Sequence, residues 1–453
     1  MTTTPKKSVF QSLLSLALPI IGLNVLSVLA LAVDTAMCGR LGNSNTVLTA
    51  LGFATQLIFL LMVAMLGLTV GSVALIARAY GAKDKERVNH ILLQSSMLTV
   101  FISVLVAIFG NLLADWLLML LGANEVVRES ALLYLRPLLT CTVFYYLNIL
   151  YAASLRGVGN TRLAFMIALA SNGLNVFLNY GLILGNMGFP ALGVQGAAIG
   201  TVLSHCFSLG LMVFFLRRGA VKDVFLYLKP KAIDKKLFRD LIKIGTPAAL
   251  DMVILNAAFI SIVGMVGRIE QIAVAAHGIG IRIQSLAFVP GMSVSQATGA
   301  MVGQALGAGN VEMARKVVRA SLLLCTIIMS TLALIIIFGV YPIVSIFDVA
   351  SGTTLETFSV MWIELLGYCM PIVGIYIAFV GMLRGAGATS ISLRINFYAT
   401  VFFQIPLSAL LGFTFGLGVW GVWAAFPISF LLKASWAGVV YRKGDWAKTG
   451  IRV

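Results

Sequence analysis

Along this chain, long apolar runs alternate with short polar or glycine-rich breaks, and the alternation repeats twelve times. The runs fall near 9–39, 46–77, 88–112, 126–152, 161–184, 194–216, 240–267, 271–305, 314–340, 356–382, 390–411 and 416–441. A helix needs roughly 20 residues to cross a hydrocarbon core about 30 Å thick, and each run supplies them. Backbone groups in lipid must be satisfied within the segment or by barrel closure, and these runs are too long for barrel strands. The pattern therefore predicts an all-α polytopic membrane protein with twelve transmembrane helices. The first run is too long for the apolar part of a secretory signal, so it is expected to stay as a span.

Composition agrees with this reading. Of 453 residues, 60% are hydrophobic and 11% charged, and the mean hydropathy is +1.01, which excludes a soluble globular enzyme. The formal charge of +16 would suggest nucleic acid in a soluble protein, but here the placement of the charges decides. Of the 32 basic residues, 26 lie in the breaks on the side shared with the N-terminus, starting with Lys6 and Lys7. The opposite side carries only Arg40, Arg128 and Arg268, while Arg136, Arg282 and Lys433 fall inside runs. By the positive-inside rule both termini are cytoplasmic, and no nucleic-acid partner is implied. The five cysteines and three histidines are scattered, with no spacing that frames a disulfide set or a metal site.

The longest hydrophilic break, Arg217 to Lys243, carries nine basic residues and separates six runs from six. It divides the chain into an N-lobe (1–216), a cytoplasmic linker (217–239) and a C-lobe (240–453). The halves repeat at an offset of 225–228 residues. Ala79-Tyr80-Gly81-Ala82 answers Ala305-Leu306-Gly307-Ala308, and Leu155-Arg156-Gly157-Val158-Gly159 answers Leu383-Arg384-Gly385-Ala386-Gly387. Because six is even, the repeat is parallel, and the expected architecture is two pseudo-symmetric six-helix bundles around a cleft, an alternating-access plan. One chain supplies the whole cleft, so a monomer in membrane lipid is expected.

Ionisable residues within spans are costly and mark function by default. Asp34 stands late in the first run without a close basic partner, so its charged form is expensive there and it is suited to carry a proton, or else is held permanently by hydrogen bonds as a packing device. Pro19, fifteen residues earlier, removes a backbone hydrogen bond and makes the helix easy to bend, or simply sits in its first turns. Asn172, Asn175 and Asn179 share one face of the fifth span and can bond Asp34, coordinate a cation or tie helices together. Gln56, Tyr145, Tyr146 and Thr201 are candidates to complete a polar substrate cavity in the first half. In the second half, Asp251 is read either as an ion ligand or as the counter-charge of Arg282, and Glu364 is a further intramembrane acid. Arg156 and Arg384, in their Leu-Arg-Gly-x-Gly turns, read as structural.

These features together, in this order and spacing, resemble the multidrug and toxic compound extrusion (MATE) family, more closely its bacterial DinF-like branch. The resemblance covers nearly the whole chain and implies an exporter of cationic or amphipathic small-molecule drugs in a bacterial inner membrane, driven by protons or sodium. It maps the family's first-helix aspartate onto Asp34, its helix-bending proline onto Pro19 and its fifth-helix polar pair onto Asn175 and Asn179. Sodium-coupled relatives of the NorM-like branch use carboxylates in the seventh and tenth helices; Asp251 falls near the first, and Val373 occupies the second. The expected mechanism is therefore proton antiport, with protonation of Asp34 bending the first helix; a sodium-coupled exporter and a lipid-linked precursor flippase are the alternatives. No cofactor is expected beyond the coupling ion. A channel would show a filter motif, and a membrane enzyme a nucleophile with its base or a metal motif such as HExxH; the sequence has neither.

Overall fold

Polar side chains in the breaks start several of the helices. Asp84, Asn124, Asn160, Asn310 and Thr353 each accept a hydrogen bond from the backbone N–H three residues on, satisfying a donor that the first helical turn leaves open. At the other end, Gly185 and Gly444 take left-handed backbone conformations that close their helices. The computed structural model describes residues 8–42, 44–221, 224–226 and 232–448. Lys6, Lys7, Arg452 and part of the linker 217–239 lie outside the described residues.

The helices, in chain order, are α1 (Val9–Cys38), α2 (Ser44–Gly81), α3 (Lys85–Leu120), α4 (Glu125–Thr140), α5 (Thr142–Gly157), α6 (Thr161–Leu184), α7 (Val194–Arg217) and α8 (Lys235–Ile269). They continue with α9 (Gln271–Gly307), α10 (Val311–Phe338), α11 (Val340–Ser345), α12 (Thr354–Gly385), α13 (Thr389–Phe397), α14 (Ile405–Ala409) and α15 (Gly418–Lys443). Among the described residues there is no strand. Eleven helical segments are long and apolar enough to cross a membrane, and the bent pair α4–α5 makes a twelfth if it counts as one span.

That pair departs from the single run expected at 126–152: the chain turns by 58° at Cys141. Thr142 causes part of this, because its hydroxyl donates to the carbonyls of both Leu138 and Leu139 and competes with the backbone ladder. Pro137, inside α4, removes one further ladder donor. The eleventh expected run is also irregular. It passes from α13 into a π-helical stretch, Tyr398–Gln404, just before Pro406, and into a second at Leu410–Thr414. Such insertions re-aim side chains and recur at functional sites.

By packing, the chain forms two compact units, Gly22–Thr246 and Met1–Ile21 with Pro247–Val453. The boundaries fall inside α1 and α8, next to Pro19 and at Pro247, whereas the sequence suggests a division at the linker. In the first unit, Cys38, Leu57, Leu118, Leu135 and Ile183 lie in one buried cluster. In the second, Leu13, Leu16, Ala17 and Ile20 of α1 pack with Val294, Leu324 and Ala378 of α9, α10 and α12. Helix α1 is continuous through Pro19.

Candidate functional site

In the unit 22–246, α1 brings Asp34 against α6. Asp34 is buried, at 9% exposure, and the Asn179 side-chain amide donates to its Oδ1 at 2.5 Å. The same amide reaches Asn175 Oδ1 at 3.3 Å, and Asn175 in turn donates to Thr201 Oγ1 of α7 at 3.4 Å. A polar thread thus runs from Asp34 through two asparagines to Thr201, across three helices. It contains no cation, and among the described residues Asp34 forms no ion pair. The thread depends on Gly200: a Cβ there would strike the Asn179 carbonyl oxygen. That oxygen is buried and has no hydrogen-bond partner.

Other residues expected at this site stand apart from the thread. Asn172 donates back to the Ala168 carbonyl of its own helix. Seven residues place it about 10 Å along the axis from Asn179, which is why a shared helical face does not bring it to Asp34. Tyr145 and Tyr146 bond to α2, at Met62 Sδ and the Leu61 carbonyl, and Tyr145 also lies against the His205 ring at 4.7 Å. Gln56 is exposed.

The unit containing 247–453 has its own buried carboxylate. Asp251 on α8 is 3% exposed and receives Asn396 Nδ2 at 2.7 Å, Ser392 Oγ at 3.4 Å and Arg384 Nη2 at 3.5 Å. Its ionic partner is therefore Arg384. This corrects one of the two readings of Asp251, as the counter-charge of Arg282, which is exposed. Glu364 is half-buried and forms no ion pair among the described residues. Ser392 and Asn396 escaped sequence reading, yet their four-residue spacing repeats that of Asn175 and Asn179. In both units 145 residues separate the carboxylate from the asparagine that bonds it.

The two arrangements use corresponding helices at different depths. Asp34 lies fifteen residues after Pro19, and Asp251 only four after Pro247. The difference of eleven residues is about three turns, or roughly 16 Å. Near the start of its helix, Asn396 holds Asp251 within reach of Arg384, whose Leu-Arg-Gly turn precedes α13. Asn179 sits eighteen residues into α6, about 27 Å along the helix from the turn that carries Arg156. Arg156 forms no ion pair among the described residues. One lobe thus holds an unpaired carboxyl and the other a neutralised one.

Asp251 and Arg384 face a cavity of about 440 Å³, which is also lined by His277, Trp362, Trp423 and Lys433. Val373 lines the same cavity. Among the described residues no group of three or more His, Cys, Asp or Glu side chains is placed to hold a metal ion.

A family model described as MatE matches residues 19–181 and 247–410. The two matches begin at Pro19 and Pro247, the same prolines that set the halves in register. The chain is 28% identical over 450 residues to a probable multidrug resistance protein NorM of Thermotoga maritima, covering 97% of this chain and 94% of that one. It is 28% identical over 447 residues to the probable multidrug resistance protein YoeA of Bacillus subtilis, covering 97% and 95%. A solved structure described as MATE in the bent conformation matches with a TM-score of 0.89 at 22% identity, over 99% of each chain.

Proposed function

The chain belongs to the MatE family of membrane transporters, and from that premise we propose that it exports amphipathic small molecules by alternating access, in exchange for protons carried on Asp34. It works in a bacterial plasma membrane with both termini in the cytoplasm, as the distribution of its basic residues supports. The observation that carries the coupling is the solitary Asp34 carboxyl, buried and bonded by a neutral amide rather than a cation. An asparagine suits both states of such a group. Its N–H donates to the carboxylate, and its carbonyl oxygen, now without a partner, accepts from the protonated carboxyl once the amide rotates. Rotation withdraws the N–H from Asn175, so the proton is felt along the thread to Thr201.

Pro19 is the hinge in this scheme. It stands where α1 leaves the packing of α9, α10 and α12 and passes into the other unit, and its missing N–H makes bending there cheap. The relatives named as multidrug resistance proteins support a broad substrate range for this chain too. Sodium coupling through Asp251 is disfavoured, because Arg384, Asn396 and Ser392 already engage both of its oxygens.

The deciding experiment is drug transport in proteoliposomes under an imposed proton gradient and, separately, an imposed sodium gradient, with Asp34→Asn alongside. The proton gradient alone is expected to drive transport, and the variant to fold and bind drug but not respond to the gradient. Transport driven only by sodium, or proton-driven transport that survives Asp34→Asn, overturns the reading.

A further inference from the structure

The cavity in the unit 247–453 carries groups that the proton exchange does not use. Lys433 on α15 is 1% exposed, lines the cavity and forms no ion pair among the described residues. Its ammonium lies 4.8 Å from the centre of the Phe430 ring and 6.0 Å from that of Tyr376. Such cation–π contacts contribute about 1–2 kcal/mol, well short of the cost of taking an isolated ammonium out of water. The one acidic side chain facing the cavity, Asp251, is already matched to Arg384.

Beyond Phe430 and Tyr376 the cavity wall continues as a cluster of aromatic rings. The rings of His277 and Trp362 lie 4.8 Å apart, those of His277 and Trp423 stack at 6.0 Å and 14°, and Trp362 and Trp423 are 5.1 Å apart. An ammonium without an ion pair, set in an aromatic-walled cavity, matches a ligand with a flat ring and an anionic group. The cavity volume falls within the range of small-molecule sites, roughly 300–1,000 Å³.

We propose that this cavity is a binding site for planar aromatic anions, with Lys433 neutralising the anionic group beside the rings of Phe430 and Tyr376. The site adds a class of substrate to the exporter and is independent of how transport is coupled, because binding requires no gradient and no titration of Asp34.

Equilibrium dialysis tests it with the full chain in lipid nanodiscs. The probes are 2-naphthalenesulfonate and 2-naphthylmethylammonium, which share a ring and differ in charge; empty nanodiscs correct for partition into lipid. The anion is expected to bind saturably at one site per chain and more tightly than the cation. Lys433→Met should weaken the anion about tenfold to a hundredfold, the range of a hydrogen bond to a charged group, and leave the cation no weaker. Lys433→Arg should restore anion binding to within a few-fold. Non-saturable anion binding, equal or tighter binding of the cation, or an unchanged anion affinity in Lys433→Met overturns the proposal. Should Lys433→Met fail to give a monodisperse protein, the wild-type preference between the two probes decides. Asp34→Asn should bind the anion as the wild type does, so a failed coupling scheme and a failed site are told apart.

Discussion

Replacing either intramembrane aspartate by asparagine is expected to have unequal consequences for stability, although both carboxylates are buried and both are held by an asparagine amide. At Asp34 the substitution removes a buried charge that has no counter-ion, and the new amide can still bond Asn179. The net change should stay within about 1 kcal/mol, the scale of one exchanged hydrogen bond. At Asp251 the same substitution leaves Arg384 without its ion pair in a side chain only 17% exposed. Breaking a buried pair costs about 3–5 kcal/mol. The single contact at 3.5 Å and the residual exposure of the guanidinium place this case at the lower end, near 3 kcal/mol, or about a hundredfold in the folded-to-unfolded ratio. Adding Arg384→Gln to Asp251→Asn should recover most of the loss, because no charge is then stranded. Reversible unfolding of the full chain in mixed micelles with increasing SDS, followed by helicity, measures the wild type, the three single variants (Arg384→Gln alone among them) and the double variant on one scale. Equal destabilisation by the two Asp→Asn changes, or a double variant no better than the sum of its singles, would refute the assignment of Asp34 as unpaired and Asp251 as paired.

Two further outcomes can be checked separately. Gly200→Ala puts a methyl group where the Asn179 carbonyl oxygen lies, so it should displace the amide from Asp34 and cut proton-driven transport severalfold, while Gly210→Ala, at a glycine with open space, should not. At the start of α8, Asp234 accepts from Leu237 N–H at 3.0 Å and from His90 at 3.1 Å, and these contacts, the backbone N–H first, hold its carboxyl below the ordinary range. The charged form is therefore favoured in the fold: its stabilisation is complete above the ordinary pKa of about 4 and is lost as pH falls through the depressed folded value. Asp234→Ala should speed amide exchange at Leu237 about fivefold at pH 7, as loss of a cap worth about 1 kcal/mol predicts, and the difference from wild type should shrink in acid.

Much of this molecule is legible in its sequence because membrane helices leave few options. Apolar run length placed most of the helices to within about five residues, although the third runs on to Leu120 rather than ending near 112, and the Leu-Arg-Gly turns exposed the repeat. The Asp34 thread was also within reach, since Asn175 and Asn179 are one turn apart and a lone buried carboxyl needs a donor. What escaped depends on contacts between helices far apart in the chain. The Asp251–Arg384 pair joins residues 133 positions apart, and choosing Arg384 over Arg282 requires knowing which way α9 turns its side chains. The bend at Cys141 escaped because Thr142 is apolar enough to pass as part of a span, whereas its hydroxyl is what engages the carbonyls. Lys433 was visible as a charge within a run, but only the structure surrounds it with Phe430, Tyr376 and an aromatic wall.

The eleven-residue displacement between Asp34 and Asp251 accounts for how one repeated scaffold holds two kinds of chemistry. Both lobes place a carboxylate on their first helix and bond it with an asparagine from the span that follows the Leu-Arg-Gly turn. In each lobe an arginine stands at that turn, so depth alone decides whether the carboxylate meets it. About 10 Å into its helix, Asn396 keeps Asp251 beside Arg384, and the resulting pair is fixed, since neither member changes charge without stranding the other. About 27 Å in, Asn179 keeps Asp34 beyond the reach of Arg156, and the carboxyl is left without a counter-ion, bonded to an amide that has both a donor and an acceptor. With Asp251 spent on Arg384, the charge left facing the second cavity is the ammonium of Lys433. The same displacement thus leaves a carboxyl without a counter-ion in one lobe and a net positive, aromatic cavity in the other.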